Sequence, residues 1–196
     1  MENFKYIDGG SVTSPLGFTA NGICAGVKPS NTTKKDLALI YCEKVCNSAA
    51  IFTKNLVKSD TIYVTKKHLE NGTAQAVVVN SGNANACNPD GYEKAEKMCK
   101  LAASALGVDE NDVIVASTGV IGQPLPIEPI EKGIKNLKGT LSKDGGTFAA
   151  EAIMTTDTVK KEWAVETVLG GKKVTIGGIA KGSGMIHINM GTTLSF

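Results

Sequence analysis

An α/β fold with a mixed sheet is what this 196-residue chain predicts, and three observations carry that reading. Short apolar runs bounded by turn residues, at 74–80 and 113–116, have the length and composition of buried strands. Residues 91–106 place apolar side chains at helical spacing with charges between them. Strand-like and helix-like segments then alternate along the chain instead of falling into separate blocks.

In order, residues 22–26 and 36–42 read as strands, with Pro29-Ser30-Asn31 as the turn punctuation between them. Residues 49–53 read as a further strand. Ser59-Asp60 resembles a helix cap, leading into a helix that ends near His68. The strand at 74–80 follows. In the helix at 91–106, Ala95, Met98, Cys99, Ala102 and Leu106 recur on one face, and Glu93, Lys94, Glu96, Lys97 and Lys100 lie between them. Gly107 supplies its stop. The strand at 113–116 ends in the turn Ser117-Thr118-Gly119. Helices are expected over 127–137 and 146–154, then a hairpin of 163–168 with 173–176 over Gly170-Gly171. No internal repeat, low-complexity tract or linker interrupts this order, so residues 1–196 read as one domain.

Composition narrows the function classes. Charged residues make up 20% of the chain and nearly cancel, with a formal net charge of +2. A nucleic-acid binder driven by counterion release needs a basic stripe, which is absent here. All 21 basic residues are lysines, so no bidentate arginine clamp can come from this chain. A substrate carboxylate must then be met by lysine, backbone N–H groups or hydroxyls. No apolar run reaches membrane-spanning length, and Met1-Glu2-Asn3-Phe4-Lys5 does not resemble a signal peptide, so a cytoplasmic location is expected. Cys24, Cys42, Cys46, Cys87 and Cys99 are odd in number and irregularly spaced, which argues against a disulfide framework. Cys42 and Cys46 are four apart, but a zinc site would need two more ligands and the histidines are only His68 and His187; no metal is expected.

The segment Lys181-Gly182-Ser183-Gly184-Met185-Ile186-His187-Ile188-Asn189-Met190-Gly191-Thr192-Thr193-Leu194 carries the most chemical information. A small residue stands directly before a pair of threonines. A Gly191–Thr192 bond held in a turn is open to attack by the threonine's own hydroxyl. Once broken, it leaves Thr192 with a free α-amine beside its hydroxyl, a nucleophile carrying its own general base. Thr193 is a rival for that role.

This segment resembles the self-cleavage site of the ornithine acetyltransferase (glutamate N-acetyltransferase) family of arginine biosynthesis. That family reads Lys-Gly-Ser-Gly-Met-Ile-x-Pro-Asn-Met-Ala-Thr-Met-Leu; here Ile188, Gly191 and Thr193 depart from it. Four further blocks resemble the family in the same order: Gly9-Gly10-Ser11-Val12-Thr13-Ser14-Pro15-Leu16-Gly17-Phe18, Val79-Asn80-Ser81-Gly82-Asn83-Ala84-Asn85-Ala86-Cys87, Ala116-Ser117-Thr118-Gly119-Val120-Ile121-Gly122 and Ala152-Ile153-Met154-Thr155-Thr156-Asp157-Thr158. Aligned on Asn189-Met190, the resemblance favours Thr192 over Thr193, because Leu194 then meets the family's leucine.

The resemblance implies a self-processing acetyltransferase fold, an α/β sandwich with mixed β-sheets between helical layers. It implies acetyl transfer from N-acetylornithine to glutamate through an acyl-Thr192 intermediate, with acetyl-CoA as an alternative donor in some members and no resident cofactor. By the same resemblance Thr118 and Gly119 form an oxyanion hole, Thr155 and Lys181 bind substrate, and the precursor is cleaved between Gly191 and Thr192. This chain then corresponds to the N-terminal, alpha portion. Its expected partner is a C-terminal beta chain, in a heterotetramer of two alpha and two beta chains, without nucleic acid or membrane. Alone, the chain is expected to be incomplete as an enzyme. Two alternatives stand beside this reading: a non-catalytic subunit of the same fold, and a self-processing aminopeptidase or amidase. On residues alone, Asp157 either orients its neighbours or caps a helix, and Asn80, Asn83 and Asn85 are better explained by turn hydrogen bonds than by ligand binding.

Overall fold

The alternating elements close into two four-stranded sheets and four α-helices in a computed structural model that describes residues 4–30, 32–184 and 193–196. In chain order they are β1 (Lys5–Tyr6), β2 (Phe18–Ile23), β3 (Leu37–Asn47), α1 (Thr61–His68), β4 (Thr73–Asn80), α2 (Gly91–Leu106), β5 (Val113–Ser117), α3 (Ile127–Lys138), α4 (Gly146–Ala152), β6 (Lys161–Leu169), β7 (Lys172–Lys181) and β8 (Leu194–Ser195).

The mixed sheet runs β2-β3-β4-β5. Its first two pairs are antiparallel; β4 and β5 are parallel, in a register that sets Asn80 beside Ser117. A parallel pair needs a long crossover, and α2 lies on it. Both faces of this sheet are covered, which is why β3 and β4 read as near-continuous apolar runs. Leu37, Leu39, Val78, Val113 and Val115 face Met98, Cys99 and Ala102 of α2 and Ile130, Ile134 and Leu137 of α3 in one core. On the other face Ala38, Ile40, Val79 and Ala116 meet Ala149, Ala150 and Ala152 of α4, with Ile179 of β7 behind them. The mixed sheet thus lies between helical layers, and an α/β sandwich is the result.

Strand β5 is an edge, and α1 closes it with side chains. Thr65 Oγ1 donates to the Val115 carbonyl at 2.7 Å and accepts from the Val115 N–H at 3.1 Å. His68 Nδ1 lies 2.8 Å from the Val113 carbonyl oxygen. These bonds use strand groups that would otherwise invite a foreign strand.

The second sheet runs β1-β6-β7-β8 and is antiparallel throughout. Its β6–β7 hairpin turns through Gly170 and Gly171 at φ +56° and +76°, the two positive angles a type I′ turn demands. Strand β8 adds to the far side of β7, with Leu194 opposite Lys181 and the Ile179 and Phe196 backbones exchanging two bonds of 2.9 Å.

Several boundaries differ from the sequence reading. The first strand of the mixed sheet is Phe18–Ile23, not 22–26. It stops because the Asp36 carboxylate captures the N–H groups of Ala25 at 2.7 Å and Val27 at 2.9 Å, which a further strand would have spent on its neighbour. Residues 49–53 form no strand: β3 ends with Asn47 paired to Thr73, and Ile51 is 84% exposed. A short apolar run without an adjacent strand edge has nothing to pair with. Helix α4 ends at Ala152 rather than residue 154, since the Thr155 N–H turns to the Asp157 carboxylate at 3.3 Å. At the start of α1, the Ser59 hydroxyl accepts from the Thr61 N–H at 3.3 Å, while Asp60 makes no side-chain cap bond.

Candidate active site

The parallel pair β4–β5 ends at one edge of the mixed sheet, and the loops beyond both strands meet there. Asn80 builds this junction. Its side-chain amide donates to Ser117 Oγ at 2.6 Å, and its carbonyl oxygen accepts from the N–H groups of Gly82 at 3.2 Å and Asn83 at 2.9 Å. Asn83 continues outward by donating to the Gln123 carbonyl at 3.0 Å and accepting from the Asn85 N–H at 2.7 Å; Asn85 then donates to the Gly91 carbonyl at 2.7 Å. The asparagine-rich loop is a structural staple, as turn chemistry suggested.

This staple fixes Thr118 and Gly119. Thr118 is buried, and its backbone N–H is spent on the Asn80 carbonyl at 3.0 Å. Its hydroxyl remains directed at the site, where it accepts from Lys181 Nζ at 3.4 Å. Gly119 has φ +131°, and a Cβ there would sit 2.7 Å from the Asn83 nitrogen and the Gly82 carbonyl carbon. Only glycine fits both that angle and that approach. No described residue accepts from the Gly119 N–H.

Lys181 and Thr155 arrive from the other sheet and from the end of α4. Lys181, the last residue of β7, is only 3% exposed, and its ammonium donates to Thr155 Oγ1 at 2.7 Å. Asp157 stands behind both. Its carboxylate accepts from Lys161 Nζ at 2.7 Å, from the Gly182 N–H at 2.8 Å and from the Thr155 N–H, and lies 3.9 Å from Lys181 Nζ. Burial pushes the Asp157 carboxyl up, but Lys161 and the two backbone N–H groups outweigh it and hold the group at about 2, below the ordinary 3.8. Burial lowers the Lys181 ammonium from its ordinary 10.5; Asp157 pulls it back up and Lys161 pushes it down. A buried ammonium of this kind gains from an incoming carboxylate, which restores its favourable surroundings.

Thr118, Gly119, Thr155 and Lys181 therefore line one cavity of about 600 Å³, which also receives Ser81, Gly82, Lys28, Asp36 and Gly184. That size suits a small ligand. The four residues come from segments up to 63 positions apart, and the structure brings all of them together. Gly191 and Thr192 lie outside the described residues. Asp157 orients its neighbours rather than capping a helix. Asp36, read from the sequence only as the start of a strand, and Lys161 are not among the site residues the sequence picks out. Asp36 shapes the Val27-Lys28 wall from the start of β3, and nothing local in the sequence marks an aspartate as a backbone anchor. Lys161 stands four residues after Asp157, a spacing that carries meaning only on a helix. Among the described residues no cluster of three or more His, Cys, Asp or Glu side chains could hold a metal ion, and no helix is long and apolar enough to cross a membrane.

Over residues 19–196 the chain matches the ArgJ family profile, and it belongs to that family. It is 52% identical over 188 residues to the arginine biosynthesis bifunctional protein ArgJ of Caldanaerobacter subterraneus subsp. tengcongensis, covering 95% of this chain and 46% of that protein. It is 50% identical to the protein of the same name from Symbiobacterium thermophilum, covering 95% and 47%. The chain thus spans about half the length of these curated relatives. Among solved structures, an ArgJ chain from Bacillus halodurans superposes with TM-score 0.88 at 43% identity, covering 96% of this chain and 98% of that one. A chain of ornithine acetyltransferase from Mycobacterium tuberculosis, crystallised with ornithine, gives TM-score 0.85 at 37% identity, covering 93% and 96%.

Proposed function

We propose that this chain is the N-terminal portion of a self-processing acetyltransferase that moves an acetyl group from N-acetylornithine to glutamate. One observation carries the reading: a lysine ammonium, two threonine hydroxyls and a glycine N–H that no described residue accepts from converge on one small-molecule cavity, at the end of the strand that precedes the Gly191–Thr192 segment in sequence. In this mechanism Thr192 attacks the acetyl carbonyl, ornithine leaves, and the glutamate amine takes the acetyl group from the acyl-threonine. The Thr118 hydroxyl and Gly119 N–H meet the oxyanion of each tetrahedral intermediate. Lys181, held by Thr155 and Asp157, meets the substrate carboxylate. The α-amine of Thr192 carries the protons.

Strand β8 supports the processing step. Leu194 pairs with Lys181, and Phe196 with Ile179. A break before Thr192 leaves the strand that follows, Leu194–Ser195, hydrogen-bonded to β7 without a covalent tether. Chain lengths support it as well. This chain covers nearly all of the solved relatives' chains but under half of the curated sequences, as expected when the family's polypeptide is divided near its middle. The ornithine bound to the Mycobacterium tuberculosis protein supports an amino-acid substrate here. The missing portion would be the partner, in a heterotetramer of two alpha and two beta chains; acetyl-CoA would be a co-substrate, and no resident cofactor is invoked.

The test is a polypeptide extended by the downstream half. Intact mass is expected to show two fragments divided before Thr192, with acetylornithine–glutamate exchange in the processed material. Thr192→Val should remain one polypeptide and exchange nothing. Processing and exchange that survive this substitution would overturn the reading. Residues 1–196 alone should show no exchange.

A further inference from the structure

An irregularity in β3, at the end away from the cavity, brings Cys42 and Cys46 together. Tyr41 pairs with Ala76 and Cys46 with Ala74, so residues 42–45 stand opposite the single residue Gln75. The surplus chain arches outward as a bulge, leaving Glu43, Lys44 and Val45 exposed. In a regular strand, residues four apart are separated by roughly 13 Å. Here the two sulfurs are 3.4 Å apart. The arch is pinned on both sides: Gln75 Nε2 donates to the Cys42 carbonyl at 3.1 Å, and the Glu43 N–H donates to the Gly17 carbonyl at 3.0 Å. Cys42 is buried and Cys46 is partly exposed, so one thiol is reachable and the other waits behind it.

We propose that Cys42 and Cys46 form a reversible dithiol site that a low-molecular-weight disulfide converts to an intramolecular disulfide. The Cys46 thiol loses its proton, and the thiolate attacks one sulfur of the small disulfide, expelling a thiolate. The Cys42 thiol then loses its proton and attacks the Cys46 sulfur, expelling the second thiolate. Two protein thiols are oxidised, one small disulfide is reduced to two thiols, and the two protons go to the departing thiolates. Closing the S–S distance to about 2.04 Å is an adjustment that side-chain rotation in an exposed bulge can supply. No other pair of cysteine sulfurs is in contact: Cys24 and Cys87 are exposed singly, and Cys99 is buried. Burial and the neighbouring Cys42 push the Cys46 thiol up, so the site rests on proximity and access and not on an acidic thiol. The pair is also separate from the cavity, since Leu37 and Cys42 are five residues apart along β3, roughly 17 Å. This site is thus independent of the acetyltransferase reading.

The experiment uses residues 1–196 reduced, freed of reductant and exposed to oxidised glutathione. Remaining thiols are then alkylated, and the chain is digested with trypsin without reduction. Trypsin cuts after Lys35, Lys44 and Lys54, so the two cysteines fall on separate peptides, 36–44 and 45–54. The expected product is these two peptides joined, lighter by two hydrogens and separated by dithiothreitol. In Cys42→Ser, glutathione should remain on Cys46 as a stable mixed disulfide. In Cys46→Ala, the buried Cys42 should stay free of glutathione. Alkylation of both cysteines after oxidation, or stable glutathione on Cys46 of the unaltered chain, would overturn the proposal.

Discussion

Lys181 shows how much a single charge depends on its surroundings. Its ammonium is almost wholly buried, and Thr155, Thr118 and Asp157 all face it. Asp157 gives this cluster a pH signature. Its folded value of about 2 lies below the ordinary 3.8, so its contribution is fully present above the unfolded value and is lost as pH falls through the folded one. Native stability is expected to drop by on the order of 2 kcal/mol between about pH 5 and pH 1 through this group. Asp157→Asn should remove that part of the acid dependence, as followed by urea unfolding across the pH range. At Thr118 the proposed role is in the transition state. Thr118→Val in the processed enzyme should lower kcat by about 10²–10³-fold with little change in KM. Gly119→Ala meets the Asn83 nitrogen at 2.7 Å and an unfavourable φ, so it should cost about 1–3 kcal/mol in urea unfolding.

Helix α1 is eight residues long, too short to persist by propensity alone. Its value to the fold lies in Thr65 and His68, which occupy the backbone groups of edge strand β5. Thr65→Val keeps the shape but leaves the Val115 N–H and C=O without their partner. A loss of about 1–3 kcal/mol is expected, together with faster amide exchange at Val115. The wild-type exchange rate at Val115 in that variant would count against this role. Asp36 does similar work at the start of β3, where its carboxylate ends β2 and shapes one wall of the cavity.

At the scale of the whole fold, residues 5–6 and 194–195 add to opposite sides of one hairpin. β1 joins β6 through Lys5 and Glu166, and β8 joins β7 through Leu194 and Lys181. Residues 194–196 therefore form part of the sheet that carries Lys181. Deleting residues 194–196 removes both Ile179–Phe196 bonds and the strand beside Lys181. A lower unfolding midpoint and slower folding are not equivalent outcomes here: a two-residue strand added to the edge of an existing hairpin is expected to join it late, so the deletion should chiefly speed unfolding. Stopped-flow urea kinetics separates the two limbs.

Much of this was legible in the chain itself. Periodicity located α2, α3, β4, β5 and the Gly170-Gly171 hairpin because each is dictated by local spacing and by one or two buried faces. The family words likewise named Thr118, Gly119, Thr155 and Lys181, four residues that line one cavity in the structure. Tertiary structure decided what has no local signature: that the apolar run at 49–53 has no strand to join, that Asp36 ends β2, that Asp157 and Lys161 brace Lys181, and that a bulge sets two cysteine sulfurs 3.4 Å apart. The division has a physical cause. Side-chain pattern determines which face is buried, whereas hydrogen bonds and charge pairs between distant segments exist only once packing has brought those segments together.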